Sequence, residues 1–132
     1  MSTSPALHPS ALNIVWFKRD LRAVDHDPLA EAAAGGPVLP LYIVEPGLWR
    51  EPDAAGRHWA FTRASLAELR AALAATGQPL VVRRGEAVPV LEQLRQQHRI
   101  AALWSHQETG NAWTFARDRA VAEWARAHGI PW

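Results

Sequence analysis

The sequence predicts an α/β domain built on an open parallel β-sheet with helices on both faces. Short apolar runs alternate with longer segments in which apolar side chains recur at helical spacing, a pattern typical of βαβ units. The short runs are apolar almost throughout, as expected for strands covered on both faces. With 132 residues, 48% of them hydrophobic, the chain is long enough for one domain with a buried core.

Four strands are predicted, at residues 13–17, 38–44, 80–84 and 100–104. Pro40 cannot donate to a strand ladder, so we expect it near the beginning of the second strand, which Pro46 and Gly47 end. The segment from Ile130 to Trp132 lies where a fifth strand would begin. We therefore expect that strand to be truncated or absent.

Four helices are predicted, at residues 29–34, 56–76, 86–98 and from Asn111 to just before Gly129. Asp27 is the expected N-cap of the first helix, with Pro28 at its first helical position, and Asn111 is the expected N-cap of the last. The apolar side chains of the last helix form a single stripe at helical spacing, made of Trp113, Ala116, Ala120 and Trp124.

Composition excludes several classes of function. The chain has no cysteine, so disulfides, thiolate metal sites and cysteine nucleophiles are excluded, and a reducing cytoplasm is the expected location. A net charge of +1 argues neither for nor against a nucleic-acid partner, because a strong electrostatic footprint would need a clearly basic balance. No apolar run is long enough to span a bilayer. Residues 1–12 form a polar leader that we expect to be disordered, without the apolar core of a secretory signal.

The common nucleotide and catalytic motifs are missing. The chain has no G-x-G-x-x-G after its first strand, no G-x-x-x-x-G-K-[ST] and no G-x-S-x-G. Its six histidines are scattered without a metal-ligand spacing, so no metal site is predicted. The seven tryptophans are interpreted as core and interface anchors.

A charged turn follows the first strand and points to a ligand site. In open parallel sheets, ligands bind at the carboxyl ends of strands, where the strand order reverses. If the strand order is 3-2-1-4, the crevice lies between the loops at residues 18–27 and 105–111. The alternative interpretation is that Arg19, Asp20 and Arg22 form a salt-bridge network, either solvated or fixing the orientation of an adjoining domain.

The same turn resembles the opening signature of DNA photolyases and cryptochromes. Residues 16–22 read W-F-K-R-D-L-R and residues 25–29 read D-H-D-P-L, similar to the family's W-F-[RK]-x-D-L-R and D-N-P-x-L. Residues 38–46 resemble the family's second strand, in which Pro40 is usual. The resemblance continues through residues 63–85 to the Arg117-Asp118 pair of the last helix and covers residues 13–132.

This resemblance implies a two-domain flavoprotein of which the chain is the N-terminal, Rossmann-like domain. The family's FAD lies in a helical C-terminal domain that this chain lacks, and DNA binds through that domain. In photolyases the excited reduced FAD donates an electron to a pyrimidine dimer, whose carbon–carbon bonds then split. In cryptochromes the same photochemistry drives signalling. No catalytic residue is expected in this chain, which should be inactive alone.

Many family members hold a light-harvesting antenna in this domain. Folate-binding members resemble N-E-x-x-R-D at the last helix, but this chain has Trp113 and Thr114 in place of the Asn-Glu pair. A deazaflavin or flavin mononucleotide (FMN) is therefore favoured over folate, or the domain holds no antenna. The antenna candidates are Phe17, Lys18, Arg19, Asp20, Leu21, Arg22, Val44, Glu45, Ser105, His106, Gln107, Glu108 and Arg117. The interdomain candidates are Arg19, Asp20, Arg22, Arg117 and Asp118.

Three functions stay open at this point. The preferred one is the N-terminal domain of a DNA repair photolyase, and the second is the same domain of a cryptochrome photoreceptor. A free-standing nucleotide-binding α/β module is the third. That module would carry a complete fifth strand and a phosphate-binding glycine loop, and the sequence has neither.

Overall fold

Four parallel strands form the centre of the computed structural model, which describes residues 11–18, 21, 26–51, 56–77, 79–106 and 110–132. Their order is β3-β2-β1-β4, so the predicted order is confirmed. All three neighbouring pairs run parallel. The strands are β1 (Leu12–Phe17), β2 (Val38–Val44), β3 (Val81–Arg84) and β4 (Ile100–Trp104).

Helices cover both faces of the sheet, as predicted. They are α1 (Asp27–Gly35), α2 (Pro46–Trp49), α3 (Gly56–Ala75), α4 (Ala87–Gln97) and α5 (Ala112–Ala127). The core on one face joins Ile14 and Trp16 to side chains of α4 and α5, and the core on the other joins Val15 and Phe17 to α1 and α3. Successive residues of β1 thus point to opposite faces, and both faces are buried.

The short helix α2 was not predicted. Pro46 and Gly47 were expected only to end β2, but Pro46 begins a single helical turn immediately after the strand. Proline is well suited to the first turn of a helix, because its missing N–H would have no partner there. Because α2 follows directly, Glu45 lies between β2 and a helix, where it is buried.

The N-cap of α1 is His26, so the prediction of Asp27 was wrong. The Nδ1 atom of His26 accepts a hydrogen bond from the backbone N–H of Leu29 at 3.1 Å, which satisfies one of the free donors of the first turn. Pro28 is consequently the second helical residue rather than the first. The predicted cap of α5 is confirmed, since Asn111 accepts from the N–H of Thr114 at 2.9 Å.

The buried face of α5 differs from the predicted stripe. Ala116 and Ala120 are exposed, and the buried positions are Thr114, Arg117, Val121, Trp124 and Ala125. The spacing of apolar residues predicted the wrong buried face of α5, because the charged side chain of Arg117 is turned inward. A carboxylate beneath the helix pairs with it, as buried charge requires.

The last described residues run beside β4 without forming a strand. The N–H of Leu103 donates to the carbonyl of Pro131 at 2.8 Å, and the indole N–H of Trp132 donates to the Ser105 hydroxyl at 2.9 Å. These residues are the segment at which the fifth strand was expected to begin. Among the described residues, no helix is both long and apolar enough to cross a membrane.

Glu92 joins α4 to α5. Its carboxylate accepts from both Arg95 Nε (2.8 Å) and Arg95 Nη2 (2.7 Å), and also from the indole N–H of Trp124 at 3.0 Å. The hydrogen bonds from Arg95, and then those from Trp124 and Gln96, hold the pKa of Glu92 well below its usual range. Since these partners favour the ionised form, the contact between the helices depends on the carboxylate's charge.

We predict that Glu92→Gln lowers stability near neutral pH and does so to a smaller extent in acid. The pKa of Glu92 is lowered by folding, so its contribution is fully present above the ordinary carboxyl pKa of about 4.3 and is lost progressively as the pH falls from there through the lower pKa of the folded state. Urea denaturation at about pH 7 and about pH 3 measures the difference from the wild-type chain. Glu68→Gln, at an exposed position on α3, is the matched control. An equal effect of Glu92→Gln at both pH values would contradict the prediction.

Candidate functional site

A cavity lies at the carboxyl ends of β1 and β4, where the strand order reverses. Its volume is about 290 Å³. We call it the switch-point cavity, and its lining residues are Lys18, Leu103, Trp104, Ser105, His106, Asp118 and Trp132. Three of the predicted antenna candidates, Lys18, Ser105 and His106, are therefore together at the edge where ligands bind in open α/β sheets.

A second cavity opens between the start of α4 and the outer side of α5. It also has a volume of about 290 Å³, and we call it the α4–α5 groove. It is lined by Glu45, Glu86, Ala87, Val88, Pro89, Trp113, Ala116, Arg117 and Ala120. Of these, Glu45 and Arg117 were predicted candidates. Glu86 was missed, although it follows β3 and so lies at the same carboxyl edge as the residues after β1.

A chain of ion pairs connects the two cavities. Arg117 donates from Nη1 to Glu45 Oε1 at 2.5 Å and from Nε to Asp118 Oδ1 at 2.8 Å. Lys18 Nζ lies 3.4 Å from Asp118. Only 4% of the Glu45 side chain and 6% of the Arg117 side chain are exposed. Buried charges are stable only when they are paired, so these ion pairs are part of the structure of the sheet's carboxyl edge.

Tryptophan rings alternate with the two cations of this network. Lys18 Nζ lies 4.6 Å from the ring centroid of Trp16 and 5.3 Å from that of Trp132. The guanidinium carbon of Arg117 lies 4.8 Å from the Trp16 centroid and 5.6 Å from that of Trp113. These are cation–π distances. We call the sequence Trp132, Lys18, Trp16, Arg117, Trp113 the indole–cation column. It extends from the switch-point cavity to the α4–α5 groove.

Trp113 is held in place from below by α2. A Cβ atom built on Gly47 would lie only 2.8 Å from the Trp113 ring, so the helix backbone and the indole are in close contact. The neighbouring Thr114 is 1% exposed, and its hydroxyl donates to the Asn111 carbonyl at 2.9 Å. The Trp113 ring thus borders the groove, while the Thr114 side chain is hydrogen-bonded to the backbone at the N-terminus of α5.

The remaining candidates lie apart from both cavities or outside the described residues. Phe17 is fully buried, and its ring lies 4.6 Å from His26, which in turn lies 4.6 Å from His106. Leu21 and Val44 are partly buried against the core that contains Phe17. The candidates outside the described residues are Arg19, Asp20, Arg22, Gln107 and Glu108. Within the described ranges, no group of three or more potential ligands could hold a metal ion.

Comparison with known proteins gives a family match over nearly the whole chain. The family model described as DNA photolyase matches residues 13–132. Over 90 residues the chain is 38% identical to a protein named Cryptochrome DASH from Natronomonas pharaonis, covering 64% of this chain and 19% of that protein. Over 98 residues it is 37% identical to the deoxyribodipyrimidine photo-lyase of Salmonella typhimurium, covering 70% of this chain and 21% of that protein.

The fold is also found among solved structures. The chain superimposes on an archaeal photolyase from Sulfolobus tokodaii with a TM-score of 0.81 and 27% sequence identity, covering 91% of this chain and 28% of that one. The published description of that structure names two FAD molecules and a novel light-harvesting cofactor. The chain spans about a fifth of the length of the two curated relatives it matches.

We predict that Arg117→Met destabilises the fold by about 3–5 kcal/mol, because it leaves the buried Glu45 carboxylate without its cation. Urea denaturation measures the change. The double variant Glu45→Gln, Arg117→Met should recover part of the loss, since no unpaired charge then remains buried. Arg126→Met is the matched control at an exposed position of the same helix. A loss for Arg117→Met no larger than for Arg126→Met would contradict the prediction.

Proposed function

The chain belongs to the DNA photolyase family, and we propose that it is the N-terminal α/β domain of a light-driven, FAD-dependent enzyme that splits pyrimidine dimers in DNA. The observation that carries the proposal is the family match over residues 13–132 together with a ligand-sized cavity at the reversal point of the sheet. The relative from Salmonella typhimurium, whose name specifies a lyase acting on pyrimidine dimers, supports this reaction over others.

In this proposal the chemistry and the structural support belong to different domains. The FAD of a C-terminal domain supplies the electron that splits the dimer, and DNA binds to that domain. The chain described here supplies a rigid edge that can hold an antenna and can pack on its own C-terminal domain. Arg117 and Asp118 already bind each other. We therefore propose that the interdomain contacts fall mainly to Arg19, Asp20 and Arg22. A cytoplasmic location, without membrane attachment, is part of the same proposal.

The proposed antenna lies at the carboxyl edge of the sheet. Lys18, Ser105 and His106 line the switch-point cavity, while Glu45 and Arg117 line the adjoining groove. The carboxylate characteristic of folate-binding members has no counterpart at position 114, which is a buried threonine. A deazaflavin or flavin is therefore favoured over folate. The description of the Sulfolobus tokodaii structure, which names two FAD molecules and the implication of a novel light-harvesting cofactor, supports a flavin.

A cryptochrome photoreceptor is the second candidate. The relative from Natronomonas pharaonis is named Cryptochrome DASH, and its identity to the chain is as high as that of the repair enzyme. The two functions differ in what the C-terminal domain does with the excited flavin. The same antenna and the same sheet edge would serve either one.

We predict that the 132-residue chain alone neither splits dimers nor retains FAD, whereas the longer protein containing it does both. Each is illuminated with an oligonucleotide that carries a single cyclobutane thymine dimer, and the repaired strand is quantified by chromatography, with dark samples as controls. Repair by the longer protein only is the expected result. Light-dependent flavin reduction without repair would favour the cryptochrome function instead. Repair by the short chain would overturn the division of roles.

We also predict that any chromophore released besides FAD has the absorbance of a deazaflavin or flavin. The longer protein is denatured, FAD is separated from the supernatant, and the spectrum of the remaining material is recorded. A reduced folate spectrum would contradict the assignment, because it would require a hydrogen-bonding carboxylate that Thr114 does not offer. An empty supernatant would show that this domain holds no antenna.

A further inference from the structure

One edge of the sheet has no strand beside it in the part of the chain that the structure describes. β3 lies at the end of the strand order and pairs with β2 alone. It is four residues long, against seven for β2, and its last two residues are Arg83 and Arg84. The side of β3 that faces away from β2 is therefore a free edge, which we call the β3 edge.

The β3 edge presents backbone groups that the described sheet does not use. The N–H of Gly85 donates to the carbonyl of Val44 at 3.0 Å, so the backbone groups of Gly85 face β2. Along a strand, the N–H and C=O groups of successive residues point alternately to its two sides. Those of Val82 and Arg84 consequently face outward. An added strand can therefore bond to the N–H and C=O of both residues, as in β-augmentation.

The exposed side chains of the β3 edge are positively charged. Val81 packs against the core under α4 and α5, and Val82 packs against the core under α1 and α3. Because side chains alternate along a strand, Arg83 and Arg84 also lie on opposite faces of the sheet. Both arginines are exposed, and neither forms an ion pair with another described residue. Arg83 Nη1 makes a long hydrogen bond of 3.4 Å to the outward carbonyl of Val82, which brings its charge to the edge itself.

These charges decide which strand the β3 edge can accept. If two copies paired antiparallel about Arg83 or Arg84, that arginine would lie directly opposite its counterpart, and like charges in this position are destabilising. A carboxylate opposite either arginine instead forms an ion pair, in which the guanidinium can donate two parallel hydrogen bonds. A nucleic-acid strand fits less well, because its continuous phosphate charge would pass the exposed Glu86 just beyond the edge. The complementary occupant is an extended segment with carboxylates opposite the two arginines.

We propose that the β3 edge binds an extended acidic segment of a partner protein, which adds a strand beside β3 and places two consecutive carboxylates against Arg83 and Arg84. The carboxylates are consecutive because successive side chains of the added strand point to opposite faces, as the two arginines do. Arg83 exchanges its long hydrogen bond with the Val82 carbonyl for the carboxylate, and that carbonyl is then free to accept from the added strand. This docking function is separate from the proposed light-driven reaction.

The test measures binding of short fluorescent peptides to the 132-residue chain by anisotropy. The acidic probe is T-V-E-E-V-T, and its isomer T-E-V-E-V-T has the same composition with both carboxylates on one face of the strand. The peptide T-V-Q-Q-V-T is neutral. We expect the isomer to bind about fivefold more weakly than the acidic probe, the effect of one exposed ion pair, and the neutral peptide to bind more weakly still. Added salt should reduce these differences.

Variants of the chain assign the effect to the two arginines. Arg83→Gln and Arg84→Gln should each weaken binding of the acidic probe about fivefold and leave binding of the neutral peptide unchanged. Arg126→Gln is the matched control, an exposed position on α5, the helix that follows the opposite edge strand, and should change neither affinity. Circular dichroism verifies that each variant is folded.

Backbone methylation of the acidic probe tests whether a strand is added. Two analogues carry N-methyl groups on alternate residues, each on the set that the other leaves unmodified. Only one set of N–H groups in an added strand faces β3, so one analogue should lose binding and the other should retain it. A segment held by charge alone would bind equally well in both forms.

Several results would overturn the proposal. They are no binding of the acidic probe, equal binding of the probe and its isomer, affinities unaffected by the arginine variants, and equal binding of the two methylated analogues. Dimerisation of the wild-type chain that changes in Arg83→Gln would identify a second copy as the occupant, and tighter binding of a single-stranded oligonucleotide would identify a nucleic acid. Either result also contradicts the proposal. None of these measurements depends on FAD, an antenna or light, so this inference and the proposed function fail independently.

Discussion

The guanidinium of Arg117 is buried beneath α5, and the arrangement of the carboxyl edge depends on keeping that charge paired. Glu45, at the end of β2, supplies one partner and Asp118 supplies another. Removing a partner from a buried pair costs several kcal/mol. The direction in which α5 faces the sheet is therefore set by an ion pair as much as by its apolar side chains. The exposure of Ala116 and Ala120 follows from this orientation.

The same interaction connects the two cavities. Arg117 and Glu45 border the α4–α5 groove, whereas Asp118 and Lys18 border the switch-point cavity. Both cations also contact Trp16, whose side chain is completely buried in the core. A ligand in either cavity would thus contact residues that are linked, through the ion pairs and Trp16, to the lining of the other cavity. The indole–cation column thus links the linings of the two cavities along one edge of the sheet.

Much of the fold could be predicted from local sequence. β1 and β4 were recognisable because each is a continuous apolar run, which in β1 is buried on both faces. The cap at Asn111 was recognisable because a short polar side chain there can accept from the first turn. Two local predictions failed for physical reasons. A histidine can cap a helix through Nδ1 as an aspartate does through its carboxylate, so His26 displaced Asp27. Pro46 was interpreted as the end of a strand when it was also the start of α2.

The sequence by itself determined the alternation of strands and helices and the charged turn after β1. Only the tertiary structure decided which of the charged and aromatic residues meet. Glu45 and Arg117 are 72 positions apart, and Lys18 and Asp118 are 100 apart. Periodicity describes neighbours along one helix or strand and carries no information on such pairs. Glu86 and Trp113 lie in one groove because the carboxyl end of β3 and the start of α5 reach the same edge of the sheet, an outcome of packing.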